Sequence, residues 1–228
     1  MESYSRYAIY FTAAPGSPLA DRGASWLGWD IERGSEVAHP ELPEIDIATL
    51  TKTPRKYGFH GTLKPPFRLG EDQSFNALED ACAAFASRHS VPVINGLRVA
   101  QLGAFLALVP DAPSAALDAL AAACVREFDT FRAPPTAREL EKRRGGGLSA
   151  RQEEMLARWG YPYVLSEFRF HMTLSGRLQE PENATAETVA KKFFQDTLTS
   201  PFAFDAITLC GERADGRFDA IQRFSLLG

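Results

Sequence analysis

Two short stretches constrain this chain more than any other feature: Phe59-His60-Gly61-Thr62-Leu63 and Phe170-His171-Met172-Thr173-Leu174. Each reads apolar-His-x-Thr-Leu, and one lies in each half of a 228-residue chain that has four histidines in all. On a β-strand, side chains two apart share a face. His60 and Thr62 therefore project together, as do His171 and Thr173. Phe59, Gly61 and Leu63 turn the other way onto a core, and so do Phe170, Met172 and Leu174. Two such strands side by side would gather two imidazoles and two hydroxyls into one cleft.

The segments around these stretches repeat in order. Residues 6–12 read as a strand, and Ser17-Pro18 opens a helix reaching about Trp29. The first histidine strand spans about Tyr57 to Lys64 and is closed by Pro65-Pro66, and helical spacing follows over 74–89. Strands are expected over 93–102 and 105–109, and an Ala-rich helix over 114–131. The second histidine strand covers about 167–175, with a helix over 185–198 and strands over 202–210 and 217–226. Asp215-Gly216 marks the hairpin turn between those last two. The expected fold class is α+β: a bilobal, duplicated set of β-α-β-α-β-β units with antiparallel or mixed sheets and helices on one face. Chain order suggests a single bilobal domain over 1–228, with lobes 1–102 and 103–228 and an active-site cleft between them.

Two segments interrupt the repeat. Residues 30–54 hold Pro40, Pro43 and Pro54 with little periodicity and read as a loop. Residues 132–161 read as a helical insertion, with capping boxes at Thr136/Glu139 and Ser149/Gln152. Lys142-Arg143-Arg144 and the glycine joint 145–147 lie between its helices. That basic run reads first as a solvated helix end, where cations are favoured. Either segment could cover a site.

Composition narrows the function classes. A hydrophobic share of 45% and a charged share of 24% are ordinary for a globular chain. A net charge of -4 argues against a broad electrostatic grip on duplex nucleic acid, though it leaves room for a small basic pocket. Cys82, Cys124 and Cys210 are scattered in apolar contexts and read as buried thiols in a reducing compartment. Met1 is followed by Glu2 and Ser3, and no apolar run is long enough to span a bilayer. The expectation is a cytoplasmic protein without a membrane anchor and without an obligate protein partner.

Histidine takes and gives protons near neutrality, with an unperturbed pKa of about 6.5. Two of them flanking a scissile bond can serve as base and acid in one displacement. Phosphoryl transfer suits that division, and threonine hydroxyls can donate to the phosphate oxygens. Stepping outward by two places Lys64, Arg169 and Ser175 on the same face, with Lys64 and Arg169 as candidate phosphate contacts. Tyr57 is a further candidate beside the first motif. A lone His-x-Thr triplet carries no information, and a lone strand histidine is usually structural. Two in matching places are hard to ascribe to accident. Zinc is the other functional reading, but a catalytic site usually has three protein ligands. Neither triplet has an HxH, HxxxH or Asp-rich partner, and His39 and His89 read as surface residues.

The pairing resembles the signature of the two-histidine phosphoesterase superfamily, which includes 2'-5' RNA ligase-like and cyclic phosphodiesterase enzymes. Residues 55–67, 103–110 and 167–174 are similar to a branch associated with bacterial phosphonate metabolism. The resemblance implies a bilobal duplicated α+β fold. It also implies a metal-independent opening of a phosphodiester, often cyclic, with no cofactor. His60, Thr62, His171 and Thr173 match the catalytic positions. The expected partner is a small phosphorylated substrate such as a nucleotide or ribose cyclic phosphate. A nucleotide or RNA-end binding module without turnover is the alternative, with Tyr57, Trp159, Tyr161 and Tyr163 as stacking rings. A metal-dependent hydrolase is the third.

Overall fold

The computed structural model describes residues 4–179 and 182–228. Met1 to Ser3, on which the reading of a missing leader rests, lie outside them. Strand β1 (Tyr7–Phe11) is buried along its whole length. Helix α1 (Pro18–Leu27) starts as its chemistry dictates: the Ser17 side chain accepts from Ala20 N–H and Pro18 opens the first turn. Gly28, at φ +74°, ends it. The segment expected as a loop contains a small hairpin, β2 (Trp29–Asp30) with β3 (Ser35–Glu36), and one helical turn, α2 (Ile47–Thr51). Elements this short leave no periodicity to read.

Strand β4 (Gly61–Phe67) runs through both prolines, where it was expected to stop. It pairs on one side with β1, whose register shifts twice, and on the other only at Gly61. Proline is tolerated where a strand has little ladder to donate to. Helix α3 (Phe75–Ala86) follows, then β5 (Val93–Ile94), β6 (Leu97–Leu102) and β7 (Phe105–Pro110). Helix α4 (Ala115–Glu127) precedes the insertion, whose helices α5 (Ala137–Arg144) and α6 (Ala150–Trp159) both begin with the expected capping boxes. Strand β8 (Met172–Thr173) is far shorter than the expected 167–175. Helix α7 (Glu182–Phe194), β9 (Phe202–Ala203), β10 (Ala206–Glu212) and β11 (Phe218–Ser225) complete the chain.

The fold is α+β, around one seven-stranded antiparallel sheet in the order β11-β10-β1-β4-β8-β7-β6. The two histidine strands are central neighbours. From there the halves mirror one another: β1-α1-β4-α3 on one side, β7-α4-β8-α7 on the other. After the last helix of each set the chain crosses over. β6 joins the outer edge of β7, and β10 joins the outer edge of β1. β5 and β9 pair with each other. The boundary drawn at 102/103 therefore falls inside a hairpin turn, where Leu102 stands opposite Phe105, and does not separate the two ends of the sheet.

One face of the sheet is sealed by α1, α3, α4 and α7. Leu63, Phe170, Met172 and Leu174 meet Trp26, Phe85, Cys124 and Phe194 there, in a single apolar core. Phe59 lies over Gly23, where any Cβ would stand 2.0 Å from the Phe59 ring. The other face is covered only at its ends. Trp29 and Ile31 close it over Ala8, Tyr10 and Cys210, while Ala100, Ala107 and Val109 form a small cluster at the far side. The positions between these covers belong to the histidines and threonines. All three cysteines are buried free thiols.

Candidate active site

A single ladder pair fixes the site. Gly61 stands opposite Met172 across antiparallel β4 and β8. Counting outward, His60 is opposite Thr173 and Thr62 opposite His171, all four on the uncovered face. Tyr10 extends one row beside Thr62, and Ala107 extends the other beside Thr173. Directly opposed side chains have Cβ atoms about 4.5–5.5 Å apart and diagonal ones about 7–8 Å. His60 and His171 form the diagonal, a span that fits one phosphate between two rings. Gly61 serves this pairing, since a Cβ there would lie 2.3 Å from the Phe170 ring on the core side.

Both imidazoles are held in the same way. His60 Nδ1 lies 3.0 Å from the Gly58 carbonyl, and His171 Nδ1 lies 2.7 Å from the Arg169 carbonyl. A carbonyl only accepts, so each Nδ1 carries the proton and each Nε2 is the free lone pair. Gly58 reaches its place at φ +70°, with a Cβ barred by Ile31. His60 Nε2 meets the Thr62 hydroxyl at 3.2 Å, so Thr62 donates in the resting state. The surroundings differ. The Tyr10 ring stacks on His60 at 3.8 Å, with Tyr57 at 6.2 Å. His171 has Phe105 tilted against it at 5.7 Å. Burial pushes His60 down to about 4, against the pull of the Gly58 carbonyl, and the charge of His171 lowers it further. Burial also lowers His171, opposed by the Arg169 carbonyl.

A cavity of about 530 Å³ opens from the Thr62/His171 end of this quartet. Phe105 and Gly103 from the β6–β7 turn form one wall. The insertion and the segment after it supply Gln152, Tyr161, Tyr163, Glu167, Phe168 and Arg169. Gln152 donates to Glu167 at 3.0 Å, and the Arg143 guanidinium lies 4.5 Å over the Tyr161 ring. Met155 and Val164 anchor the insertion on Val125 of α4. Among the described residues, no three His, Cys, Asp or Glu side chains converge to hold a metal ion, and no helix is long and apolar enough to cross a membrane.

Not every candidate reaches the cleft. Arg169 is exposed at the cavity wall beside His171, and Tyr57 flanks His60. Lys64 does not join them. On β1, Ile9 and Tyr10 are adjacent, but their partners on β4 are Lys64 and Thr62. This bulge breaks the step-by-two rule and turns Lys64 to the helix side. There its Nζ donates to the Val125 carbonyl at 3.0 Å and to Asp129 at 3.1 Å, with 2% of the side chain exposed. Ser175 lies beyond the short β8 and is buried, accepting from Leu106 N–H at 2.9 Å and donating to the Gly176 carbonyl. His39 and His89 are half-buried rather than surface residues: His39 packs on Arg55 and the Trp26 carbonyl, and His89 stacks on Phe85.

The family description "Protein of unknown function (DUF1045)" matches residues 62–219. The chain belongs to that family. Curated relatives of this DUF1045 chain include "Ribose 1,5-bisphosphate phosphokinase PhnN" of Janthinobacterium sp. (strain Marseille), 41% identical over 222 residues. That alignment covers 94% of this chain and 49% of the relative. The protein of the same name from Laribacter hongkongensis (strain HLHK9) is 33% identical over 196 residues, covering 86% and 46%. The chain thus spans about half the length of these relatives. Among solved structures, E. coli LigT complexed with 3'-AMP aligns over 99% of this chain and 100% of its own, at 16% identity and a TM-score of 0.43. The crystal structure of a phosphoesterase aligns over the same shares at 17% identity and a TM-score of 0.43.

Sequence reasoning missed Tyr10, Phe105, Gln152, Glu167 and Phe168. Tyr10 had a usable signal, since strand alternation puts it with Ala8 on the face away from Ile9. Phe105 had one too, since alternation along β7 puts it on the face of Ala107, which stands beside Thr173. Gln152, Glu167 and Phe168 had none: their place at the cavity depends on how the insertion folds back.

Proposed function

We propose that this chain is a phosphoesterase that opens a small cyclic phosphodiester by two-histidine acid–base chemistry, with His60, Thr62, His171 and Thr173 as its catalytic residues. The observation that carries the reading is the Gly61–Met172 register. It sets two Nε2 atoms of matched tautomer on one diagonal, each opposite a threonine hydroxyl. A base and an acid on opposite sides of one phosphorus is what an in-line displacement at a diester requires. Arg169 and Tyr57 flank the two histidines and are proposed to contact substrate.

The substrate class we assign is a ribose cyclic phosphate, in phosphonate metabolism. The curated relatives are named for a kinase of ribose 1,5-bisphosphate and are about twice as long as this chain. Opening a ribose 1,2-cyclic phosphate that bears a 5-phosphate would yield ribose 1,5-bisphosphate. The kinase activity is not assigned to this chain, which has no G-x-x-x-x-G-K-[ST] loop to cradle nucleotide phosphates. The test is turnover of a panel of nucleoside 2',3'-cyclic, ribose 1,2-cyclic and acyclic phosphodiesters, with chelator present. Hydrolysis of a ribose cyclic phosphate supports the reading. Tight retention of a nucleotide without turnover would favour the binding-module alternative, and loss of activity on chelation would favour a metal hydrolase.

A further inference from the structure

We propose that the cavity wall next to His171 carries a hydroxyl-reading subsite. Glu167 accepts a hydrogen bond from a free sugar hydroxyl beside the cyclic phosphate, and Gln152 is the positioning residue that aims it. This rests on the phosphoesterase reading and deepens it by naming what selects a sugar among cyclic phosphodiesters.

The wall changes sign along its length. His171 and Arg169 line the cavity at the end nearest the histidine strands, and Glu167 lines it two residues further back. Among the described residues that line the cavity, Glu167 is the one carboxylate. One of its oxygens, Oε2, is taken by Gln152, and the other has no hydrogen-bond or ion-pair partner among the described residues. A carboxylate repels a phosphate and can only accept hydrogen bonds. What it serves is therefore a donor without negative charge, and a sugar hydroxyl is such a donor. Dinucleotide-binding folds use an acidic side chain on ribose hydroxyls in the same way. Four residues, at most about 14 Å of extended chain, separate Glu167 from His171. The cavity of about 530 Å³ has the size of a small-molecule site.

Two features hold the carboxylate in place. Gln152 is the third residue of α6, and its amide is committed at both ends. Its Oε1 accepts from the Ser149 N–H at 3.1 Å, so its Nε2 faces Glu167 and donates at 3.0 Å. A reversed amide would lose both bonds. The second feature is Leu165, which stands at φ +54°, the only non-glycine in the left-handed region among the described residues. That conformation is strained for leucine and persists only where the surroundings hold it. It lies between Val164, buried against Val125 and Met155, and the end of the 3₁₀ turn at Glu167.

A matched pair of substrates tests the subsite: ribose 1,2-cyclic phosphate bearing a 5-phosphate, and its 3-deoxy analogue. The parent is expected to favour the first by about 10–100-fold in kcat/KM, the worth of a hydrogen bond to a charged group. Glu167→Ala should lose that factor on the ribose compound and turn over the 3-deoxy compound as the parent does. Glu167→Gln, which keeps the volume, should fall between. Gln152→Glu preserves the capping box of α6 while removing the donor, and should weaken the discrimination with helix content kept. A pair that merely pins the insertion would alter melting and leave the discrimination alone. Equal turnover of both compounds by the parent overturns the subsite and leaves the phosphoesterase reading intact. So does an equal loss on both in the Glu167 variants, with folding confirmed by circular dichroism, and so does turnover of nucleoside 2',3'-cyclic phosphates alone. Inactivity of the parent on all of these removes the reading itself, and the subsite with it.

Discussion

His60 lies beneath a stacked tyrosine at the closed end of the cleft, whereas His171 tilts against a phenylalanine and faces a cavity. The two rings come from near-identical pentapeptides, sit on neighbouring strands and are tied by the same Nδ1 bond to a carbonyl two residues back. Local sequence therefore fixes the tautomer and the side of the sheet. It does not fix the protonation equilibrium, which follows from what the rest of the fold packs around each ring. Duplication supplied two equal groups, and their surroundings made them unequal.

The largest effects fall on turnover. Beyond the loss of either histidine, Thr62→Val and Thr173→Val remove the two hydroxyls that share the face of the histidines, and each is expected to cost about 10²–10³-fold in kcat. A comparison of KM with kcat checks this: a loss in kcat at constant KM marks donors used in the transition state. If Thr62→Val costs nothing, its bond to His60 is a resting-state contact only.

A pH titration of stability separates the two rings next. The folded protein lowers His60 from an ordinary 6.5 to about 4. Between those values the unfolded chain binds more protons than the folded one, so stability is full above about pH 6.5 and falls as pH drops towards 4. The His60 contribution amounts to no more than about 3–4 kcal/mol. Thermal melts across that window should show the fall, and His60→Gln should flatten it more than His171→Gln does. An equal change in both variants would mean that the Tyr10 cover does not distinguish them.

Gly61→Ala probes the seam where the strands meet. Its Cβ would press on the Phe170 ring, at an expected cost of about 1–3 kcal/mol, read as a lowered denaturation midpoint. An unchanged midpoint would show that Phe170 can move without disturbing the register.

Much of this was legible before any coordinates. The period-two pattern of Phe59 to Leu63 gives both faces of the strand, and Ser17-Pro18, Thr136/Glu139 and Ser149/Gln152 mark helix starts through local hydrogen bonds that need no tertiary help. What was not legible is non-local. The crossing of β6 and β10 to opposite ends of the sheet leaves no trace in element order. The bulge opposite Ile9 is a property of two strands together, so a rule that counts along one strand sends Lys64 to the wrong face. Gln152 joins Glu167 in the wall of the cavity because the insertion docks on Val125, and no spacing near the motif encodes that.

Lys64 and Arg169 turn that misreading into the last test. Both are basic residues two positions from a motif residue, and one is sealed in the helix layer while the other lies exposed at the cavity. Lys64→Met should leave KM unchanged. It strands the Val125 carbonyl and one partner of Asp129, which keeps Arg132 at 2.7 Å, and so should lower stability by about 1–3 kcal/mol. Arg169→Ala should do the reverse: no measurable change in melting and a rise in KM of about tenfold, as for the loss of one charge-assisted hydrogen bond to phosphate. A raised KM for Lys64→Met without loss of stability would mean that the lysine leaves Asp129 to meet substrate, and the bulge would then no longer decide which face it serves.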